Sequence, residues 1–402
     1  MQVFRARTIL PISAPPIEDG AVCVRDGKIE AVGAWKDLAT ADAVDLGDVV
    51  LMPGLINAHC HLDYSDMRGA ILSTTEFSQW IRRLNDLKRT QTDEDYLAAI
   101  SRGLDELRLS GTTTVFNIES YPELLLRIPR PSLRVWWMYE LLDIRNRIHT
   151  EDVVAGALAF FGGQRNWLGG FGLSPHAPYT TSQALYELTR ECCEKYGMPF
   201  TTHLAETDEE FAMFVCGSGQ LYGFLASLGR NMSDTGGITP VAKLLGANLV
   251  PKGALLAHMN VLADSDWDII SRKSADFSVV HCPNCHEYFQ RPPFPLEEFL
   301  SRGVNVCLGT DSLASNRCLN MFVEMRSLRR AHPEVTPRQA IEMATIHGAQ
   351  AIGQSGKLGE ITPGAEADLI ALPIVPEGDV WEAVVHFNAP VEWTMVGGQR
   401  VD

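Results

Sequence analysis

Both ends of the chain carry short runs of alternating apolar and polar residues, while the middle carries longer stretches with apolar residues every three to four positions. Alternation marks half-buried strands, and the longer period marks amphipathic helices. Near the amino end, runs at 21–24 and 29–32 flank Asp26-Gly27, which predicts a two-residue hairpin turn. Near the carboxyl end, 367–372 and 393–396 read as strands, with Gly364 in a turn and Gly397-Gly398 before Arg400-Val401. The two ends are expected to pair as one small β-sandwich domain, residues 1–52 with 357–402.

The middle, residues 53–356, alternates strand and helix. Apolar runs at 49–51 taken with 56–58, and at 112–117, 133–139, 170–174, 200–204, 254–257, 277–280 and 304–309, make eight strands. Helical periodicity falls between them, at 93–110, 182–196 and 208–228, with a further helix at 336–352. Eight strand–helix units predict an α/β fold, a (β/α)8 TIM barrel with its catalytic groups at the C-terminal ends of the strands.

Composition narrows the function. With 34 Lys and Arg against 50 Asp and Glu, the formal charge is −16, a field that repels nucleic acid. The densest basic cluster, Arg82-Arg83 with Lys88-Arg89, is interrupted by Asp86 and reads as a solvated helix face. Residues 1–11 lack the apolar core of a signal peptide, and no run is long enough for a membrane span, so a cytoplasmic protein is expected. Nine scattered cysteines read as reduced, mostly buried thiols.

The histidines carry the chemistry. His59 and His61 follow the first strand, His176 the fourth, His203 the fifth, His258 the sixth and His281 the seventh, with Asp311 after the eighth. All fall at one rim of the expected barrel. In His59-Cys60-His61 the two imidazoles lie at i and i+2 of a strand, so both face one way and can reach one metal ion. His149, His332, His347 and His386 fall elsewhere and read as structural or surface residues. The run His281-Cys282-Pro283-Asn284-Cys285-His286 contains C-x-x-C followed by His, yet without a second such pair or an export signal it supports neither a zinc ribbon nor haem attachment.

Pro53-Gly54-Leu55-Ile56-Asn57-Ala58-His59-Cys60-His61 resembles the first metal motif of the amidohydrolase superfamily. The resemblance extends through Ser174-Pro175-His176, Thr202-His203-Leu204-Ala205-Glu206, Ala257-His258 and Leu308-Gly309-Thr310-Asp311-Ser312 to Ala367-Asp368-Leu369. It implies one divalent metal, Zn2+ or else Fe2+ or Mn2+, held by His59, His61, His203 and Asp311. The carboxylated lysine that bridges two metals in some members has no counterpart, since 133–143 contains no lysine. The branch it resembles is that of deaminases and chlorohydrolases.

In that branch Asp311 accepts a proton from the attacking water, Glu206 passes protons to the substrate ring, and His258 hydrogen-bonds the incoming hydroxide. The implied reaction is hydrolytic release of ammonia from an aminated heterocycle. Strings at 63–66, 77–80 and 311–316 are similar to aminofutalosine deaminases, which points to a 5′-modified adenosine. Substrate contacts are expected from His176, Trp80, Tyr179, Ser315 and Asn316, from Tyr64, Phe77, Tyr288 and Phe289, and from Arg145 or Arg147 for a charged tail. Glu206 has a competing reading as a helix-start acid, and Phe77 and Trp80 one as packing. The rival functions are a triazine chlorohydrolase, a guanine- or cytosine-type aminohydrolase, and a non-catalytic scaffold. A homodimer is common in such families. Cys285-His286 stands where the family ordinarily has Ser-Asn.

Overall fold

The computed structural model describes residues 1–144, 148–162, 167–375 and 378–401. Its central feature is two parallel sheets whose strands follow one another in chain order. The first sheet runs Leu55–His61, Thr112–Glu119, Arg134–Leu141 and Gly169–Pro175, and the second Thr201–Leu204, Ala254–His258, Phe277–His281 and Asn305–Leu308. Two seams join them. At one, Leu173 bridges Phe200, with Leu173 N–H donating to the Pro199 carbonyl at 3.0 Å. At the other, the chain beyond Leu308 crosses over, and Asp311-Ser312 pairs in parallel with Cys60-His61.

The second seam depends on a residue without a side chain. A Cβ on Gly309 would lie 2.8 Å from His59 Cβ and 2.9 Å from the His59 backbone nitrogen and oxygen. That approach lets Thr310 N–H reach the carbonyl of His59 at 3.0 Å and Oδ1 of Asn57 at 3.1 Å. Asn57, fully buried, returns a bond from Nδ2 to the Thr310 hydroxyl at 2.7 Å.

Helices start and stop where local chemistry dictates. Asp93–Leu109 opens on a capping box between Thr92 and Asp95 and carries three acids in its first turn. The expected helix at 208–228 is two, Asp208–Cys216 and Gln220–Ser227, because Gly217 sits in the left-handed conformation and ends the first. The one expected at 336–352 also breaks, into Pro337–Met343 and Ile346–Ala351. There the Ala344 carbonyl accepts from Ile56 N–H at 2.8 Å instead of continuing the helical ladder.

The segments 49–51 and 56–58, expected as one strand, belong to different sheets. Val50–Pro53 pairs with Thr8-Ile9 on one side and Leu369–Leu372 on the other, whereas Leu55–His61 pairs with the parallel strands. Pro53, lacking a backbone donor, marks the change. Strands from both chain ends thus lie in one sheet of eight around Val50–Pro53. It curls so that Lys28 bridges Glu366, enclosing Phe4, Val22, Ile29, Leu51, Leu369 and Met395. Asp26-Gly27 forms the expected hairpin turn with both residues at positive φ, and it presses against the turn at Gly397-Gly398. Arg134, at the start of the third parallel strand, ties the two parts together through paired bonds to Asp368 at 2.8 and 3.0 Å. The nine cysteines are free thiols, all but Cys216 and Cys318 buried. No helix among the described residues is long and apolar enough to cross a membrane.

Gly309→Ala should cost about 1–3 kcal/mol in chemical denaturation, since overpacking there meets backbone. Gly223→Ala, in open space on the helix Gln220–Ser227, should instead be neutral or stabilise by up to ~1 kcal/mol. Equal effects would show that the seam does not need the close approach.

Candidate active site

The parallel strands deliver their polar residues to one end. His59 and His61 close the first strand on the same face, with ring centroids 5.1 Å apart, and His203 lies 5.1 Å from His59 and 5.4 Å from His61. His258, at the end of the sixth strand, is 5.4 Å from His59. Asp311 Oδ1 lies 3.7 Å from His59 Nε2 and 3.8 Å from His61 Nε2. Donor atoms of His59, His61 and His203 lie within 4.8 Å of one another, as do those of His59, His258 and Asp311. His281, expected at the same rim, is not in this cluster: it stacks on Phe294 at 4.0 Å.

The hydrogen bonding suits a metal. His203 donates Nδ1–H to the His176 carbonyl at 2.8 Å, which leaves Nε2 a bare lone pair 3.3 Å from His61 Nε2. Neither nitrogen of His59, nor Nδ1 of His61, has a hydrogen-bond partner among the described residues, although both rings are buried. Burial holds His59, His61 and His258 below the ordinary histidine range, so their rings are neutral and available as ligands. Burial alone would raise Asp311, but the imidazoles of His59, His258 and His61 outweigh it and hold the carboxyl well below its usual range. Three neutral nitrogens and a carboxylate form a donor set for one divalent ion.

Around this cluster the backbone is strained. Ala205, His258, Met259 and Asp311 all have positive φ, at 51°, 78°, 52° and 60°. Such conformations cost of order 1–3 kcal/mol each and persist only when surroundings enforce them. Here the Glu210 carboxylate accepts from the N–H groups of Ala205 and Glu206 at 3.2 and 2.7 Å, and Asn260 N–H reaches the Ala205 carbonyl at 2.8 Å.

Glu206 is not a helix cap. Thr207 caps the following helix, accepting from Glu210 N–H at 3.1 Å, and Glu206 faces the cavity above the histidines. Its Oε1 accepts from Arg291 Nη2 at 2.8 Å and lies 3.8 Å from His258 Nε2. Burial raises its pKa, and the attraction of Arg291 only partly offsets this.

The cavity is about 280 Å³. Phe77, Trp80, Leu84, Phe224 and Phe289 supply its apolar lining; Glu140, Lys88, Asn85 and His176 supply polar groups. Trp80 both packs and lines, since its face meets the cavity while Nε1 bonds the Ala314 carbonyl at 3.3 Å. Tyr179 and Tyr64 line the cavity, and Tyr64 stacks on His61 at 5.8 Å. Burial holds His176, which bonds the Thr180 hydroxyl at 2.6 Å, down to about 4.

Three expected substrate contacts lie off the cavity. Ser315 and Asn316 are buried behind Asp311: the Ser315 hydroxyl bonds Asp311 Oδ2 at 3.3 Å, and Asn316 Nδ2 bonds the Thr310 carbonyl at 2.6 Å and Glu324 at 2.8 Å. They support the Asp311 carboxylate because the turn after Ser312 folds back beneath it. Tyr288 turns outward to the Ile71 carbonyl at 3.0 Å. Arg145 and Arg147 lie outside the described residues.

Four residues gain a place that the sequence reading did not give them. Lys88, assigned to a solvated face, donates to the Tyr64 hydroxyl at 2.6 Å and lines the cavity. Its signal was available, since Phe77, Ile81, Leu84 and Lys88 follow one helical stripe. Glu140 sits at the strand-end position of the third strand. Cys285 donates its thiol to Asp311 Oδ2 at 2.8 Å, and burial raises the thiol well above its usual range, so it remains a donor. Arg291 lies in a proline-rich loop without periodicity, and nothing in the sequence pointed to it.

A buried His and Asp metal site at the carboxyl ends of parallel strands is the hallmark of a metal-dependent hydrolase. The chain belongs to the amidohydrolase family, which matches residues 50–401. It is 31% identical over 369 residues to the 5-methylthioadenosine/S-adenosylhomocysteine deaminase of Pyrococcus furiosus, covering 87% of this chain and 80% of that protein. Its fold is that of an adenosine deaminase from Xanthomonas campestris with bound zinc (TM-score 0.84, 24% identity, 99% of this chain and 92% of that one). It is likewise that of Helicobacter pylori aminofutalosine deaminase in complex with methylthio-coformycin (TM-score 0.87, 22% identity, all of both chains).

Elemental analysis of the untreated protein should find one equivalent of divalent metal per chain. Chelation should remove it with a fall in Tm, and His61→Ala should fail to rebind it; two equivalents, or full loading of His61→Ala, would contradict the site.

Proposed function

We propose that this enzyme is a zinc-dependent hydrolytic deaminase that releases ammonia from the adenine ring of a 5′-modified adenosine. One observation carries the reading: a buried carboxylate, Glu206, faces the same cavity as the histidine cluster and an aromatic lining able to stack a flat heterocycle. The names of the relatives reported above favour the same chemistry. We further propose that the eight parallel strands close into a barrel over residues 53–356, with 1–52 and 357–402 forming a separate sandwich. The two seams and the shared sheet of the chain ends support that division.

His59, His61, His203 and Asp311 would hold the ion. Zinc in such a donor set supplies the Lewis acidity that makes water nucleophilic near neutral pH. Glu206, ionised at the outset, takes one proton from the attacking water and delivers it to the ring nitrogen beside the amino-bearing carbon, which makes that carbon electrophilic. His258, 3.8 Å from Glu206, hydrogen-bonds the oxygen as it adds. Asp311 then takes up the remaining proton of that water and passes it to the amino group, which leaves as ammonia while the carbon becomes a carbonyl and both carboxylates end ionised, as they began. Water and the amino compound give the oxo compound and ammonia, so the atoms balance.

The polar groups of the cavity suit a ribose. Glu140 stays ionised: burial would raise its pKa, but His176 and Lys88 draw it lower. A carboxylate accepts from sugar hydroxyls, and the Lys88 ammonium donates to them. Glu140→Gln should raise KM for a nucleoside about tenfold or more, the loss of a charge-assisted bond, and leave deamination of the free base unchanged. An equal effect on both would place Glu140 away from the sugar.

Glu206→Gln should keep its zinc and lose about 10²–10⁴ in kcat, read as ammonia release from a panel of adenosine derivatives. Glu206 must be ionised to accept a proton and its pKa is raised, so activity should fall as pH drops through a value above the ordinary glutamate value of about 4.3. Activity only on triazines, or an acid limb at or below that value, would overturn the assignment.

A further inference from the structure

We propose that Arg291 is a positioning residue for Glu206, anchoring one carboxylate oxygen so that the other is presented to the reacting ring. The inference rests on the reading that Glu206 carries protons. Arg291 Nη2 donates to Glu206 Oε1 at 2.8 Å, and the two side chains are only 7% and 6% exposed. The guanidinium lies over the Phe289 ring at 4.5 Å, and Phe289 in turn lines the cavity. With Oε1 occupied, Oε2 is the oxygen left for the cavity. Without an anchor, the side chain of Glu206 could rotate either oxygen, or neither, towards the substrate.

The loop that carries Arg291 is built to aim it. Gln290 takes a left-handed backbone conformation, φ 53°, and Arg291 N–H bonds the His286 carbonyl at 3.3 Å. His286 holds the same loop from its side chain, Nε2 donating to the Pro292 carbonyl at 2.6 Å while Nδ1 lies 3.2 Å from Asn260 Oδ1. Separately, Asn260 Nδ2 donates to the Glu206 carbonyl at 3.1 Å. The backbone of Glu206 is thus held by Asn260, after the sixth strand, and its carboxylate by Arg291, after the seventh. Cys285, in the same segment, fixes Asp311 at 2.8 Å.

A role limited to stability fits poorly. Burying a charge pair costs desolvation that its mutual attraction often does not repay. Arg291 Nη1, moreover, is buried with no hydrogen-bond partner, which a purely structural arginine would be expected to find. The other charged or titratable groups around Glu206 are His203, Asp311, His258, Glu210 and Tyr179. Among all these, Arg291 is the cation bonded to it.

The test uses zinc-loaded Arg291→Met, with Arg291→Gln as a second variant that keeps a polar end, and Arg291→Lys as the conservative replacement. Arg291→Met and Arg291→Gln should lose 10- to 100-fold in kcat with KM changed less than threefold and zinc content intact, and Arg291→Lys should recover at least fivefold over Met. A kcat within twofold of the parent, a rise in KM at unchanged kcat, or no recovery in the Lys variant would overturn the proposal. So would loss of kcat accompanied by loss of zinc or of cooperative folding in both Met and Gln variants, since that is structural support. Measured alongside, an inactive Glu206→Gln with a normal Arg291→Met refutes the anchoring alone, whereas an active Glu206→Gln refutes the underlying role of Glu206.

Discussion

The catalytic end depends on one backbone contact, that of Gly309-Thr310-Asp311 against Asn57–Cys60. Two hydrogen bonds from Thr310 N–H, and the absence of a side chain at Gly309, bring the last parallel strand within reach of the first. Only then does Asp311 stand 3.7 Å from His59 and 3.8 Å from His61. The ligands come from strands about 250 residues apart, as the bonded pair Asn57 and Thr310 shows, so no local segment can assemble the site by itself. Asn57 serves both strands at once, which is why a fully buried amide is retained beside a metal cluster.

Burial at this contact sets the electrostatics. Removing water favours neutral imidazoles and raises an isolated carboxyl, as at Glu206, whereas a ring of imidazoles reverses the sign at Asp311. Two carboxylates a short distance apart thereby acquire different proton affinities from their surroundings. In the proposed reaction, that difference lets one remain ionised among the ligands while the other exchanges protons with a substrate. The left-handed backbone at Ala205, His258, Met259 and Asp311 is held by the same bonds that place these groups.

Much of this was legible in the sequence, because strand ends are where such folds put their chemistry, and His59, His61, His203, Glu206, His258 and Asp311 each sit at one. Apolar runs also located the main parallel strands, although the first was merged with 49–51, which belongs to the other sheet. Helical periodicity failed where a tertiary bond overrides local preference: Ala344 gives its carbonyl to Ile56 and breaks a helix. Ser315 and Asn316 are expected at the substrate from the similarity of the string 311–316 to aminofutalosine deaminases, but similarity of a string does not say which way its turn folds. Arg291 reaches a partner 85 residues away from an irregular loop, and no period or motif encodes such a meeting. Lys88 differs, since its helical stripe did carry the signal and only its charge suggested solvent.

The turn at Asp26-Gly27 rests on the turn at Gly397-Gly398, where a Cβ on Gly398 would come within 2.6 Å of the Gly27 α-carbon. The sheet that opens the chain is thus completed by its final strands, Trp393–Val396 and Gln399–Val401. During synthesis the strands of residues 2–53 leave the ribosome with three of the sheet's eight strands unmade, and the open edge of Val50–Pro53 must wait for Leu369–Leu372. Such an edge can pair with another nascent chain. Shielding that edge until the carboxyl end emerges is therefore a task for chaperones or for rapid packing of the intervening parallel strands.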